Sequence, residues 1–165
     1  MTPDSNRPDL RQMGQSAFTE VLWSLLSLPA TACDPAGHSP LSAPPDQITS
    51  RVSLAGPQLS GSVHVQLPLA FVSRAVHLLT GFDAADAGKN GLLDDTAGEL
   101  ANMVAGRLAA LLAVEGYHCT LGTPSVSRSA RLPIETPPGA GHGRTDLLCE
   151  GHRLSLEIQC CYPDP

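Results

Sequence analysis

At 165 residues, with 42% of them hydrophobic and 16% charged, the chain can bury one real core and is not a disordered polymer. A net charge of -6 with no run of Lys or Arg argues against nucleic acid and against an anionic membrane as partners. Aromatics make up only 4%, so the core has to be built mainly from Leu, Val, Ile and Ala.

The N-terminal stretch MTPDSNRPDL has no basic segment followed by an apolar one. No signal peptide is expected, and the simplest compartment is the cytoplasm. Residues 1–13 read as a flexible polar leader, with residues 14–165 as a single domain. Phe18, Val21, Leu22, Leu25 and Leu26 recur at helical spacing, and Pro29 stops that helix near Leu28. Residues 29–46 are rich in Pro, Ala, Ser and Gly and predict a long surface loop.

Ile48, Val52 and Leu54 predict a strand, and Gly56-Pro57 breaks it. Leu59, Val63, Val65 and Leu67 alternate with polar residues and form its expected hairpin partner. Pro68 suits the first position of a helix whose buried stripe is Val72, Ala75, Val76 and Leu79, with Gly81 as its stop. Residues 82–90 are expected to be a loop, and residues 91–114 a long central helix that ends at Gly116. The most apolar run, residues 109–114, is too short to span a bilayer.

Tyr117, Cys119 and Leu121 then alternate, followed by Pro124 and Val126. Residues 133–143 predict a second Pro/Gly-rich loop. A closing hairpin runs through Asp146–Cys149 and Leu154, Leu156, Ile158 and Cys160, turning at Glu150-Gly151. Strands that cluster in hairpins predict an α+β fold: a mostly antiparallel sheet packed against two or three helices, including the long central one.

Five cysteines at irregular spacing, with no CxxC, argue against a disulfide framework and for free thiols. His118-Cys119 and Cys149 with His152 have metal-ligand chemistry. Their neighbours on strands and a turn diverge, so no metal site is expected. His64, His77 and His152 read as satisfied or exposed histidines.

The central helix carries an odd face. At about 100° per residue, Leu93, Leu100, Val104, Leu108, Leu111 and Leu112 share one broad side, with Met103 at its edge. Asp95, Glu99, Asn102 and Gly106 stack in a narrow line on the opposite side. Around them the residues are small: Gly98, Ala105, Ala109 and Ala110. A solvent-facing helix normally carries long charged side chains, and an interior Gly costs about 1 kcal/mol relative to Ala. A bare shelf with two projecting polar groups would let another macromolecule come close. Three plainer readings stand beside that one. Thr96 and Glu99 fit a capping box, the pair arises by chance on many helices, and the glycines mark close packing within the chain.

The stretch DDTAGELANMVAGRLAALL, followed by TPSV, resembles the CheX-type chemotaxis phosphatases of the wider CheC/CheX/FliY group. The resemblance rests on Glu99-Leu100-Ala101-Asn102-Met103 with Gly106 behind it, and on the element order from Ala17 to Ile158. It implies a chain that binds a phosphorylated response-regulator receiver of the CheY type and hydrolyses its aspartyl phosphate. Asn102 would orient the attacking water and Glu99 would pair with the receiver lysine. Asp95, Gly98 and Gly106 would lie on the partner-binding face. No cofactor of its own is implied, because the receiver supplies Mg²⁺, and homodimers are known for this type. The alternatives are a non-catalytic receiver-binding scaffold and a small-molecule sensor.

Overall fold

The computed structural model describes residues 7–33, 46–89, 91–128 and 136–163, which form four helices and seven strands. Helix α1 (Leu10–Leu26) leads to strand β1 (Thr31–Cys33). The hairpin β2 (Gln47–Ala55) and β3 (Ser60–Pro68) follows, and then helices α2 (Leu69–Thr80), α3 (Ala84–Lys89) and α4 (Leu92–Val114). Strands β4 (Thr120–Leu121), β5 (Ser125–Arg128), β6 (Gly141–Cys149) and β7 (His152–Cys161) complete the chain. The sheet runs β1-β6-β7-β3-β2-β4, with β5 also on β2, and every pairing is antiparallel. The α+β class and the long central helix are therefore as the sequence predicts.

Local chemistry explains the boundaries. The Asp9 carboxylate accepts from the Gln12 N–H at 3.0 Å and caps α1, so residues 10–13, expected in the leader, are helical. Residues 1–6 of that leader lie outside the described residues, as do 34–45 and 133–135 of the two expected loops. Pro68 is the N-cap of α2, one place earlier than predicted. Gly81 ends the helix in the left-handed region (φ 77°), which glycine enters without the penalty that a Cβ would bring. The expected 82–90 loop contains α3, anchored by buried Ala87. Strand β1 falls inside the expected 29–46 loop because its three residues, TAC, two exposed and one half-buried, show no alternation. They are held by pairing along β6, from Thr31 opposite Leu148 to Cys33 opposite Asp146. The β6–β7 hairpin turns at Glu150 (φ 46°) and Gly151 (φ 78°), two positive-φ residues that match the twist of the flanking strands.

The two faces of the sheet differ. The inner face presents Val52, Leu54, Val63, Val65, Leu67, Leu154, Leu156 and Ile158 to the helices, all of them buried. Helix α1 lies over β6 and β7 and α4 over β2 and β3, and Phe18, Leu22, Phe71, Leu100, Leu108 and Leu112 fill the space between. Each such Leu or Phe contributes about 1.5–3 kcal/mol of burial free energy. The outer face is polar, in cross-strand rows. One row is Asp146, Ser155, Gln66 and Thr49; another is Arg144, Glu157, His64 and Arg51. Its central groups pair with one another: Arg153 donates to Asp146 at 2.7 Å, Arg144 lies 3.5 Å from the same carboxylate, and His142 is 2.9 Å from Glu157.

By length and composition α4 would cross a bilayer, but Leu93, Leu100, Val104, Leu108 and Leu112 on one side of it are core residues on the sheet.

Candidate functional site

Helix α4 begins at its N-cap Gly91, so Thr96 lies inside the helix and cannot cap it. The capping-box reading of Glu99 is thereby removed. Turn by turn, Leu93, Ala97, Leu100, Ala101, Val104, Leu108 and Leu112 go into the core, while Asp95, Glu99 and Ala110 are exposed. Asn102, Met103, Gly106 and Ala109 are half-buried. Glu99 and Asn102 thus project from the same outer side, on a helix whose inner side is held along five turns. Among the described residues, no side-chain hydrogen bond or ion pair engages either of them.

The shelf around them is narrower than the sequence implies. The segment from β4 to β5 folds up along one flank of α4. Gly98 is buried there, and a Cβ on it would sit 3.4 Å from Val126 Cγ2 and 3.8 Å from Pro124 Cβ. Ala105 is also fully buried. Their small size lets the chain's own strand approach, which corrects the expectation that Gly98 lies on an open docking face. Leu111, expected in the core stripe, is only half-buried, because the buried arc is turned toward Ala101 and Ala105. Gly106 keeps part of its surface, with Leu121 Cδ1 3.8 Å from where a Cβ would stand. Asp95 stays exposed on the line, whereas Asp94 is taken up by Arg128 Nε at 2.9 Å.

On the opposite flank Arg107 is not a free solvated side chain. Its Nε donates to Glu20 Oε2 of α1 at 2.7 Å, and this exposed pair marks the register in which the two helices lie. The histidines have structural surroundings. His64 Nε2 lies 2.9 Å from Ser62 Oγ, His77 Nδ1 lies 3.2 Å from the Phe82 carbonyl, and His152 meets Phe71 edge-on at 5.9 Å. Burial, and then the field of Arg51, lower the His64 pKa against the opposing pull of Glu157. All five cysteines are free thiols, with Cys149 and Cys160 buried and Cys161 exposed. Burial pushes the Cys160 thiol up to about 12, which leaves it a protonated, inert packing group at neutral pH. Among the described residues, no group of three or more His, Cys, Asp or Glu is placed to hold a metal ion.

Comparison with known proteins bears on this helix directly. The family model for the chemotaxis phosphatase CheX matches residues 48–147, which include all of α4. Among solved structures, the chemotaxis protein CheX from Vibrio vulnificus superposes with a TM-score of 0.78 at 18% identity, covering 96% of this chain and all of that one. A CheX-CheY-BeF3-Mg²⁺ complex from Borrelia burgdorferi gives 0.68 at 16% identity, covering 93% of this chain and 99% of that one. FliY from Thermotoga maritima gives 0.63 at 14%, covering 96% and 92%. At these identities the likeness to solved structures is one of fold. No curated protein matches the chain. Because the family model covers well over half of its length, the chain belongs to the CheX family of chemotaxis phosphatases.

Proposed function

We propose that this protein docks on a phosphorylated response-regulator receiver of the CheY type and speeds hydrolysis of its aspartyl phosphate. Asn102 orients the attacking water and Glu99 pairs with the receiver's active-site lysine. The observation that carries this reading is the contrast within α4. Its inner side is locked into the core, and its outer side offers one acid and one carboxamide, neither of them engaged by a described neighbour.

The residue types suit the chemistry. An acyl phosphate is already labile, and phosphoryl transfer depends chiefly on positioning and charge stabilisation. Water attacks phosphorus, the bond from phosphorus to the carboxylate oxygen breaks, and the products are a free aspartate and inorganic phosphate. A carboxamide accepts from the water and donates to an oxygen while staying neutral. A carboxylate in its place would repel the phosphoryl group. One turn back, Glu99 meets a cation without facing the phosphate. Gly106, half-buried and without a side chain, lets the partner's backbone come close, and exposed Asp95 forms a rim contact. The Borrelia burgdorferi complex contains BeF3 and Mg²⁺ together with CheY, which supports a receiver that brings its own metal ion. The reading carries with it a cytoplasmic location and the homodimer expected of the type.

The test is the decay of a phosphorylated receiver from the same organism, measured with and without this protein. Wild type should accelerate it. Asn102→Ala should still bind but lose about 100-fold of the acceleration, the usual consequence of deleting a group that orients or stabilises the reacting centre. Binding by both proteins with no acceleration by either would leave a scaffold in place of an enzyme.

A further inference from the structure

The strip from Asp95 to Gly106 is too small to hold a protein partner by itself. Eleven steps of about 1.5 Å make it about 16 Å long, and one helix is about 10 Å wide. That footprint is several times smaller than the roughly 800 Å² that each partner contributes to a specific interface. Whatever sits over Glu99 and Asn102 must also cover a neighbouring element.

The α1 side offers the stronger ground. Helices α1 and α4 run antiparallel. Leu10, at the start of α1, packs at the same end of the sheet as Gly141 and Tyr162, and Tyr117, just beyond α4, meets the Tyr162 ring at 5.6 Å. The start of α4 lies at the other end, where Asp94 pairs with Arg128. The Arg107–Glu20 ion pair then marks the register. One turn from Glu20 toward the C-terminus of α1 is Trp23. One turn from Arg107 toward the N-terminus of α4 is Met103, and one turn further is Glu99. Both steps run in the same direction along the paired helices, about 4.5 Å and 6 Å per step. Adjacent helices lie about 8–10 Å apart. By this register Trp23 lies level with Met103 on the neighbouring helix, and Glu99 is one turn further along α4. It is the chain's single tryptophan, and it is 61% exposed. On the opposite flank, among the described residues, the exposed side chains Thr123 and Ser125 are polar, and Leu121, Pro124 and Val126 are half-buried.

We propose that Trp23, with Met103 between it and the Glu99–Asn102 pair, is the docking anchor for the phosphorylated receiver. It would supply binding energy and set partner choice while α4 supplies the chemistry. Tryptophan is the residue type most enriched at binding hot spots, and a methionine beside it adapts to the facing surface. This rests on the receiver-phosphatase reading above.

The probe is a CheY-type receiver from the same organism, itself free of tryptophan and loaded with beryllofluoride and Mg²⁺. Titrated into wild-type protein, it should shift Trp23 emission to the blue and saturate. In the decay assay, Trp23→Ala should raise KM about tenfold or more and leave kcat within about twofold, with the far-ultraviolet dichroism unchanged. Asn102→Ala should do the reverse, losing kcat while keeping the emission response. Unchanged emission and unchanged KM in Trp23→Ala, with Asn102→Ala still inactive, would overturn the anchor and leave the phosphatase reading standing. So would a Trp23→Ala variant that loses self-association in gel filtration but keeps its receiver affinity. If wild type failed to accelerate decay, the phosphatase reading would fall, and a saturating emission change would still establish the docking face.

Discussion

Two polar surfaces lie on opposite sides of this molecule, and they are built by different rules. On the outer face of the sheet, the central charged groups are answered by neighbours of the same face. Asp146 takes Arg153 and Arg144, Glu157 takes His142, and Ser62 lies against His64. On the outer face of α4, Glu99 and Asn102 have no such company among the described residues. The sheet face spends its polarity on the fold. The helix face holds its polarity in reserve on firm ground, which is how a surface looks when its complement is on another molecule.

Substitutions on the two faces should therefore fail in different ways. The largest effect belongs to Asp146→Ala. It leaves two arginines partly buried around a missing acceptor and should cost about 2–3 kcal/mol of stability, read as a fall in the urea midpoint. Receiver decay per folded molecule should not change, and a loss of activity without a loss of stability would break the comparison. Next comes Glu99→Gln, where the expected result is about a tenfold weaker receiver affinity with Tm moved by no more than about a degree. If it unfolds the protein instead, Glu99 is structural after all.

A smaller effect concerns acid. Burial alone would raise the Asp146 carboxyl, but hydrogen bonds from Ser155 and Arg153, with the fields of Arg144 and Arg153, hold it below its ordinary value. A depressed folded pKa gives stability that is present above the unfolded pKa, about 3.9, and is lost as pH falls through the folded value. Wild type should lose stability below about pH 4 more steeply than Asp146→Asn, as followed by acid titration of the dichroism signal. The smallest effect is at Ser50, whose hydroxyl is fully buried on β2 with no hydrogen-bond partner among the described residues. Ser50→Ala should leave thermal stability unchanged or raise it by up to about 1 kcal/mol, and a clear loss would reveal a partner for that oxygen.

Most of the outer face of α4 was legible because helical periodicity is a local property. The positions of Asp95, Glu99 and Asn102 around α4 follow from residue spacing and agree with their exposure. Gly98 and Ala105 were misplaced because the wall they meet is remote in sequence. Val126 and Pro124 come back across β2 before they reach α4, and no window along the helix contains that information. Strand β1 escaped for a related reason, since its three residues owe their shape to hydrogen bonds with β6, more than a hundred positions away. The ion pair between Arg107 and Glu20 joins residues 87 apart, so the sequence alone read Arg107 as solvated. Trp23 was visible as a residue, but its place beside α4 depends on that same pair. Long-range contacts decided what pattern reading left open.

On the proposed reading, one helix serves as both spine and workbench. Since α4 contributes Leu93, Leu100, Val104, Leu108 and Leu112 to the interior, Asn102 cannot drift without disturbing the sheet beneath it. The backbone amides around it should exchange with deuterium only when the whole domain opens. Warming should then extinguish function and structure at a single temperature, with no earlier stage at which the protein is folded but idle.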